Sequence, residues 1–216
     1  MIDKYVLSRM KKQYIKTSAI NSLIKSSLNK AISYEEYRDQ VVLYVKNFTS
    51  SNPTPSEAHA QYTILNNSRM KRLDRTLKIE DQVINKLKTY SEKVTWLVLT
   101  ESWCGDAAQV LPVINKLATT AENIDLRILY RDENTELMDH FLTNESRSIP
   151  KLIAFDTNKQ EVLNEWGPYP QVLSEKIKNF KDIHGSLTPK FKEEIQIWYN
   201  KNKGKSIALD LLKLID

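Results

Sequence analysis

The sequence predicts an α/β sandwich with the element order β-α-β-α-β-β-α, extended by helices at both ends. Residues 1–90 show helical periodicity, short apolar and β-branched runs alternate with helical patterns over residues 91–184, and helical spacing returns over residues 185–216. The 216 residues are 41% hydrophobic and 27% charged, which is typical of a globular protein that buries a core. We therefore divide the chain into a helical N-terminal extension (1–90), an α/β domain (91–184) and a short helical C-terminal tail (185–216).

The clearest helix of the N-terminal extension begins at a capping box, in which Ser33 is followed three residues later by Glu36. Apolar side chains then recur at steps of three and four and mark one face: Tyr34, Tyr37, Val41, Tyr44, Val45 and Phe48. The segment 49–55 ends this helix, and Thr54 followed by Pro55 predicts the start of the next. From this start the helical period continues and predicts two helices, through Tyr62, Leu65, Leu73 and Leu77 and then Val83, Ile84, Leu87 and Tyr90.

Four strands are predicted in the α/β domain, at residues 94–100, 124–130, 151–155 and 161–166. Helical patterns occupy residues 107–121, 133–143 and 170–183. Helix-length crossovers favour parallel strands first, whereas the tight turn near Asn158 favours an antiparallel pair last. In the C-terminal tail, two helical patterns are separated by Gly204, a candidate helix cap.

Charge is distributed unevenly, with +8 in the N-terminal extension, −5 in the α/β domain and +2 in the tail. A basic segment can bind nucleic acid or an anionic surface. Its lysines and arginines are dispersed among helix-forming residues, however, and form no run of five or six. The composition therefore favours a solvated helical face over nucleic-acid binding.

Other classes of protein are also disfavoured. No apolar run approaches the roughly 18 residues of a membrane-spanning helix, and residues 1–20 lack the apolar segment of a secretory signal. We therefore expect no membrane association and a cytoplasmic location. The single cysteine, Cys104, allows no intramolecular disulfide and fits a reducing compartment. Because His59, His140 and His184 are scattered, we expect no metal site and no resident cofactor.

Cys104 lies where the first strand gives way to the first helix of the α/β domain, in the segment ESWCGDA. Free N–H groups and the dipole at a helix N-terminus favour a thiolate. Glu101 and Asp106 act in the opposite direction if they lie close, because a neighbouring carboxylate raises the pKa of a thiol. The direction of the pKa shift stays open at this point, and a small, buried, inert cysteine is the alternative to a reactive one.

This segment resembles the first strand and helix of the thioredoxin family, whose redox motif is Trp-Cys-Gly-Pro-Cys. Trp103, Cys104 and Gly105 match the first three positions of the motif, and Pro112 stands where thioredoxins carry a proline that bends the helix. The resemblance covers about residues 92–184. It implies a thioredoxin-like fold, and the sequence Trp-Cys-Gly-Asp-Ala is similar to that of a bacterial single-cysteine subgroup.

Two later segments carry the same resemblance. Residues 148–155 resemble the family's cis-proline segment and the strand after it, and Trp166-Gly167 corresponds to the glycine loop before the last helix. The resemblance implies that the Ile149–Pro150 bond is cis and presents backbone groups that can pair with an extended peptide. It therefore implies a shallow substrate-binding groove around a catalytic Cys104, formed by Trp103, Gly105, Asp106, Ile149 and Pro150.

The departures from the family pattern affect the chemistry. Ala107 stands where the family has its second cysteine, Asp106 replaces the intervening proline, and Val98 replaces a buried acid. A dithiol cycle within one chain is therefore impossible. A thiolate at Cys104 could still form a mixed disulfide, which an outside thiol such as glutathione would release. Monothiol glutaredoxins also use one cysteine, but their Cys-Gly-Phe-Ser motif is absent, so their glutathione site is not carried over.

Two functions are compatible with this pattern. The first is a monothiol thiol–disulfide oxidoreductase or glutathione-linked redox protein, in which Cys104 is the nucleophile and Pro150 helps to position a protein or peptide disulfide. The alternative is a non-catalytic thioredoxin-like module that binds a protein or peptide through the groove and the helical extension. Retention of Trp-Cys-Gly favours the first function, and Ala107 favours the second. The sequence does not determine the oligomeric state or whether the extension covers Cys104.

Overall fold

A four-stranded sheet in the order β2-β1-β3-β4 organises the chain in the computed structural model, which describes residues 18–215. The strands are β1 (Val94–Thr100), β2 (Ile124–Tyr130), β3 (Lys151–Asp156) and β4 (Glu161–Trp166). Every residue of β1 is buried, as expected for a central strand with an uninterrupted apolar and β-branched sequence. The mixed α/β fold class predicted from the sequence is confirmed.

Helices precede, cover and follow the sheet. The first, α1, occupies described residues 18–28; the expectation of no secretory signal concerns residues that lie mostly outside the described ones. The others are α2 (Tyr34–Lys46), α3 (Glu57–Thr76), α4 (Asp81–Thr89), α5 (Ala107–Ala118), α6 (Thr135–Met138), α7 (Gln171–His184), α8 (Pro189–Asn202) and α9 (Lys205–Leu212). Buried side chains from the extension, the sheet and the tail, including Ile24, Trp96 and Leu211, belong to one hydrophobic core.

The strand directions agree only in part with the prediction. β1 and β2 are parallel and β3 and β4 are antiparallel, as predicted. β3, however, runs antiparallel to β1, although a helical crossover was expected to make it parallel. The helix predicted over 133–143 is only Thr135–Met138. It is too short to return the chain to the opposite end of the strands, as a parallel connection requires. The link therefore stays at the carboxyl end of β1, where Lys151 of β3 pairs with Leu99.

The start of α2 is as predicted, and that of α3 is not. The Ser33–Glu36 capping box has both of its hydrogen bonds. Helix α3 begins after Ser56, whose hydroxyl accepts the His59 N–H at 3.3 Å, so Thr54 is not the cap. The reason is local, because the Thr54 N–H is already bound by the Asn52 side chain at 2.8 Å, in a turn that delays the helix.

The buried face of α3 is partly polar, contrary to the apolar period predicted through Tyr62 and Leu65. Both of these side chains are exposed. The buried positions of α3 are instead Ala60, Thr63, Asn66 and Met70. This face packs against the β1–α5 region, where the helix supplies hydrogen bonds as well as apolar contact.

Gly167, in the loop between β4 and α7, provides a test of the close packing beside Pro150. Its φ is +114°, and a Cβ there would clash with the Pro150 carbonyl oxygen. Gly185 also has a positive φ, of +74°, but a Cβ there would meet nothing within 4 Å. We expect Gly167→Ala to lower the free energy of unfolding by about 2 kcal/mol more than Gly185→Ala, because only Gly167→Ala adds overpacking to the backbone penalty. Urea unfolding measures both losses, and equal losses would contradict the close approach.

Candidate functional site

Cys104 lies directly before α5, with its sulfur between two backbone groups. The Ala107 N–H, in the first turn of α5, donates to Sγ at 3.5 Å, and the thiol donates to the Ile149 carbonyl oxygen at 3.5 Å. The Ile149–Pro150 bond is cis, the isomer that the family resemblance implies. Cys104 is 8% exposed, so only a small part of the residue reaches solvent.

The surroundings of Cys104 determine the direction of the pKa shift of its thiol, which the sequence leaves open. Burial, which disfavours the charged form, raises the pKa of the Cys104 thiol to about 12, and the Asp106 carboxylate adds to this rise. The backbone N–H groups of Ala107 and Asp106 and the charge of Arg131 lower the pKa, but by less. At pH 7 the protonated form therefore predominates. The helix N-terminus is therefore outweighed, and the resting sulfur is a thiol.

Asp106 is itself in an enclosed position. Burial raises the pKa of Asp106 to about 6, while the hydroxyl group of Tyr199, the charge of Arg69 and the hydroxyl group of Tyr169 oppose this rise. The Tyr199 hydroxyl and Asp106 Oδ1 are both buried, and neither makes a hydrogen bond of normal geometry within residues 18–215. Two tyrosines from the C-terminal half of the chain therefore close over the residue that replaces the family's motif proline.

The five predicted groove residues fall into two groups. Ile149 and Pro150 are buried, and Ile149 contacts the cysteine through its carbonyl oxygen. Trp103, Gly105 and Asp106 are partly buried, and each retains some exposure to solvent. A partner approaching Cys104 would therefore meet the Trp103–Asp106 segment first.

Both helical flanks border this loop. Arg69 of α3 lies so close to Gly105 that its Nη1 would be 3.2 Å from a Cβ at that position. Gln196 of α8 approaches the same position to 3.7 Å and accepts a hydrogen bond from Gln109 of α5 at 3.1 Å. The N-terminal extension and the C-terminal tail thus enclose the candidate site. The sequence alone leaves open whether the extension covers Cys104.

A buried hydrogen-bond network fixes the loop from below. Ser51 donates its N–H to the Ser102 hydroxyl at 2.9 Å and accepts the Ser102 N–H at 2.9 Å. Thr63 shares a 3.0 Å hydrogen bond with the Ser102 hydroxyl, and the Asn66 amide donates to the Ser102 carbonyl oxygen at 3.0 Å. The sequence analysis missed Ser51, Thr63 and Asn66. Thr63 and Asn66 give only a weak signal in the sequence, because they are two polar residues one turn apart on a helix with an otherwise apolar period.

Glu101 joins this network to the next loop. Its carboxylate accepts hydrogen bonds from the Ser51 hydroxyl and, at 2.9 Å, from the Asp132 N–H. Burial raises the pKa of Glu101 to about 7, although both hydrogen bonds lower it. The carboxyl group therefore titrates near neutral pH at the junction of the extension, the β1–α5 loop and the β2–α6 loop.

Trp103 is covered on its ring faces. The His59 ring stacks on it, with centroids 4.4 Å apart and an interplanar angle of 9°. The Arg131 guanidinium lies 5.3 Å from a Trp103 ring centroid, in cation–π range. These contacts tie the motif tryptophan to α3 and to the end of β2, so Trp103 is a fixed wall of the site.

Comparison with known proteins identifies the family. A family model described as Thioredoxin matches residues 52–181, more than half of the chain. The chain belongs to the thioredoxin family. The family match begins before α3, so it includes the helix that supplies Thr63 and Asn66 as well as the βαβαββα unit. A search of curated proteins finds no match.

Solved structures show the same fold at low sequence identity. A protein of unknown function from Pseudomonas aeruginosa matches with a TM-score of 0.56 and 16% identity, over 85% of this chain and 97% of that chain. An HIV epitope scaffold matches with a TM-score of 0.52 and 18% identity, over 85% of this chain and 98% of that chain. A mutant thioredoxin from Halobacterium salinarum NRC-1 has 18% identity and a TM-score of 0.31, over 52% of this chain and 91% of that chain.

The described residues also bear on membrane insertion and on metal binding. Among the helices of residues 18–215, none is long and apolar enough to cross a membrane. The same part of the chain holds no group of three or more histidine, cysteine, aspartate or glutamate side chains arranged to bind a metal ion.

The Glu101 carboxyl predicts a pH-dependent stability. Its pKa is raised from an ordinary 4.5 to about 7 in the fold, so the native state holds this proton more tightly than the unfolded chain. Its contribution to stability is therefore full below about pH 4.5 and is lost as the pH rises to about 7. Between pH 5 and pH 8, we expect Glu101→Gln to reduce the fall in the free energy of unfolding by on the order of 2 kcal/mol.

Urea unfolding of both proteins at the two pH values measures this difference. Asp106, whose pKa is also raised, is present in both proteins and cancels in the comparison. Glutamine retains an acceptor for the Asp132 N–H, and the acceptor that the Ser51 hydroxyl loses is lost at both pH values, so this loss does not change the pH dependence. Parallel pH profiles for the two proteins would contradict the raised pKa.

Proposed function

We propose that this thioredoxin-family protein carries out thiol–disulfide exchange with one cysteine, Cys104, and an outside thiol. The supporting observation is the position of Sγ, which accepts the Ala107 N–H at the start of α5 and contacts Ile149 beside the cis Pro150. A helix N-terminus and a backbone N–H are groups that stabilise a thiolate once it forms. The chain retains Trp103, Cys104 and Gly105 of the family motif and has Ala107 in place of the second cysteine.

The exchange balances with one protein sulfur. The Cys104 thiolate attacks one sulfur of a substrate disulfide, a mixed disulfide forms, and the other substrate sulfur leaves as a thiolate that takes up a proton. An outside thiolate of the glutathione type then attacks the substrate sulfur of the mixed disulfide. A new disulfide forms with the outside thiol, and Cys104 leaves as its thiolate. The net reaction exchanges one thiol for another, which requires the reducing compartment that a cytoplasmic location would provide.

Burial and the Asp106 charge set the rate of this reaction. Because the pKa of Cys104 is raised to about 12, the reactive thiolate is scarce at neutral pH. Attack is faster when the carboxyl group of Asp106 is neutral or displaced, or when a partner brings a positive charge to the loop. The proposed activity is therefore slow toward small disulfides and depends on how a substrate docks on the Trp103–Asp106 segment.

A second function, binding of a protein or peptide without catalysis, is favoured by the same burial. The thiol is protonated and bound to the Ile149 carbonyl oxygen, and Trp103 contacts both the His59 ring and the Arg131 guanidinium. A loop fixed in this way presents a preformed surface, which lowers the entropic cost of binding a partner. Substitution of Cys104 by Ser separates the two functions, because exchange needs the sulfur and binding does not.

Alkylation of Cys104 tests its electrostatic surroundings. In the folded protein, we expect the rate of reaction with iodoacetamide to rise with pH up to pH 10 without a plateau. In the urea-unfolded chain, the rate should follow a titration with a pKa of about 8.5 and level off above it. Asp106→Asn should lower the thiol pKa and raise the rate at pH 7.5 by on the order of tenfold, because it removes the nearest negative charge. Asp182→Asn, on the exposed side of α7, is the matched control and should have no effect. A plateau near pH 7 in the folded protein would refute the raised pKa.

Formation of a mixed disulfide tests the proposed function itself. After incubation with glutathione disulfide at pH 8.5, intact-protein mass spectrometry should find one glutathione on the folded wild-type protein and none on Cys104→Ser. Added reduced glutathione should remove it and restore the free thiol. If the folded protein stays unmodified while its unfolded form reacts, exchange is excluded for this substrate class and the binding function takes its place.

A further inference from the structure

A groove at the C-terminal end of α3 lies apart from Cys104, although Tyr199, which closes over Asp106, also lines it. It has a volume of about 560 Å³ and lies between the α3–α4 connection and the turn that joins α8 to α9. A smaller hollow continues it and shares Lys78, Ile79, Glu80, Lys203 and Lys205 with it. This size is within the range of small-molecule sites.

Positive charge is concentrated in the groove. Arg72, Lys78, Lys203 and Lys205 line it, against one carboxylate, Glu80. Glu80 is paired with Lys205 at 2.7 Å. Arg72 donates to the neutral Asn200 side chain at 2.7 Å. Within residues 18–215, neither Lys78 nor Lys203 forms an ion pair, so the groove retains a positive field for an anionic ligand.

The backbone adds to this field at one end of the groove. Helix α9 begins at Lys205 after Gly204, and the Ser206 N–H of its first turn donates to the Asn202 side chain at 3.0 Å. The positive end of a helix dipole there favours an anion. Gly204 has a φ of +80°, and a Cβ would lie 2.8 Å from a methyl carbon of Val113 in α5. The turn is therefore pressed onto the core and holds Lys203 and Lys205 at fixed positions.

Part of the groove wall is apolar. Leu73, Leu77 and Ile79 line it, and Leu77 and Ile79 also pack against the hydrophobic core. A simple inorganic ion would use the cations and leave this wall unused. A molecule that carries phosphate groups on an apolar or aromatic body would use both.

From this arrangement we propose that the groove binds a small phosphorylated molecule, with its phosphates on Lys78, Lys203 and the start of α9, and its apolar part on Leu77 and Ile79. A nucleoside diphosphate has this chemistry. The site is distinct from Cys104, so the proposal does not depend on the thiol function.

Isothermal titration of the full chain with ADP, with inorganic pyrophosphate and with a single-stranded oligonucleotide tests the proposal. ADP should bind more tightly than pyrophosphate, because only ADP uses the apolar wall. The double variant Lys78→Gln, Lys203→Gly should lower the affinity for ADP by at least about tenfold, since charge-assisted hydrogen bonds to phosphate are lost. Lys203 has a left-handed φ of +52°, so glycine removes the charge without straining the turn.

Lys176→Gln, on the exposed face of α7 and outside the groove, is the matched control and should leave the ADP affinity unchanged. Cys104→Ser should also bind ADP normally, which separates this site from the exchange reaction. Absence of ADP binding, or equal affinity of the double variant and the wild-type protein, would overturn the proposal. Binding of the oligonucleotide without binding of ADP would also overturn it and assign the groove to nucleic acid.

Discussion

The arrangement of the candidate site depends on the buried hydrogen bonds of one residue, Ser102. Its N–H, hydroxyl and carbonyl oxygen are bound by Ser51, Thr63 and Asn66, all from the helical extension. A buried polar group left without a partner costs about 1–3 kcal/mol, so the loop cannot leave this conformation unless α3 moves with it. Cys104 follows two residues later, and its position between α5 and Ile149 is therefore set by a segment outside the βαβαββα unit. This dependence gives a physical reason why the family match includes α3.

The same enclosure explains the direction of three pKa shifts. Burial is the largest cause of the raised pKa of Glu101, of Cys104 and of Asp106. Each of these groups would bear a negative charge, and each is taken out of water by the helices that fix the loop. Precise positioning of the sulfur and easy formation of the thiolate are thus in opposition. This chain keeps a cysteine at the motif position but buries it beside the Asp106 carboxylate, which keeps the thiol protonated at rest.

Local sequence patterns predicted most of the fold, and contacts between distant segments account for the rest. The bounds of β1, β2 and β4 agree with the prediction, because each is an apolar or alternating run bounded by turn residues. The direction of β3 could not be read from the helical pattern over 133–143, since packing shortened that helix to one turn. The face of α3 was wrong because its partner is a polar loop about forty residues away in the sequence, and periodicity counts only apolar side chains. For Cys104, the motif predicted the place, but the pKa depends on burial beneath α3 and α8, which no local pattern encodes.

In the proposed exchange, a single cysteine leaves release of the mixed disulfide to an outside thiol. In a dithiol cycle the second sulfur reaches the mixed disulfide from within the protein, and its effective concentration makes release fast whether or not solvent has access. Here Ala107 contributes only its N–H to the sulfur, so release requires an outside thiol to approach the same narrow opening that admitted the substrate. That opening is bordered by Arg69 of α3 and Gln196 of α8, the first of which brings positive charge to the approach of an anionic thiolate. For the proposed one-cysteine cycle, we therefore expect access to the sulfur past the two helical flanks to control the rate.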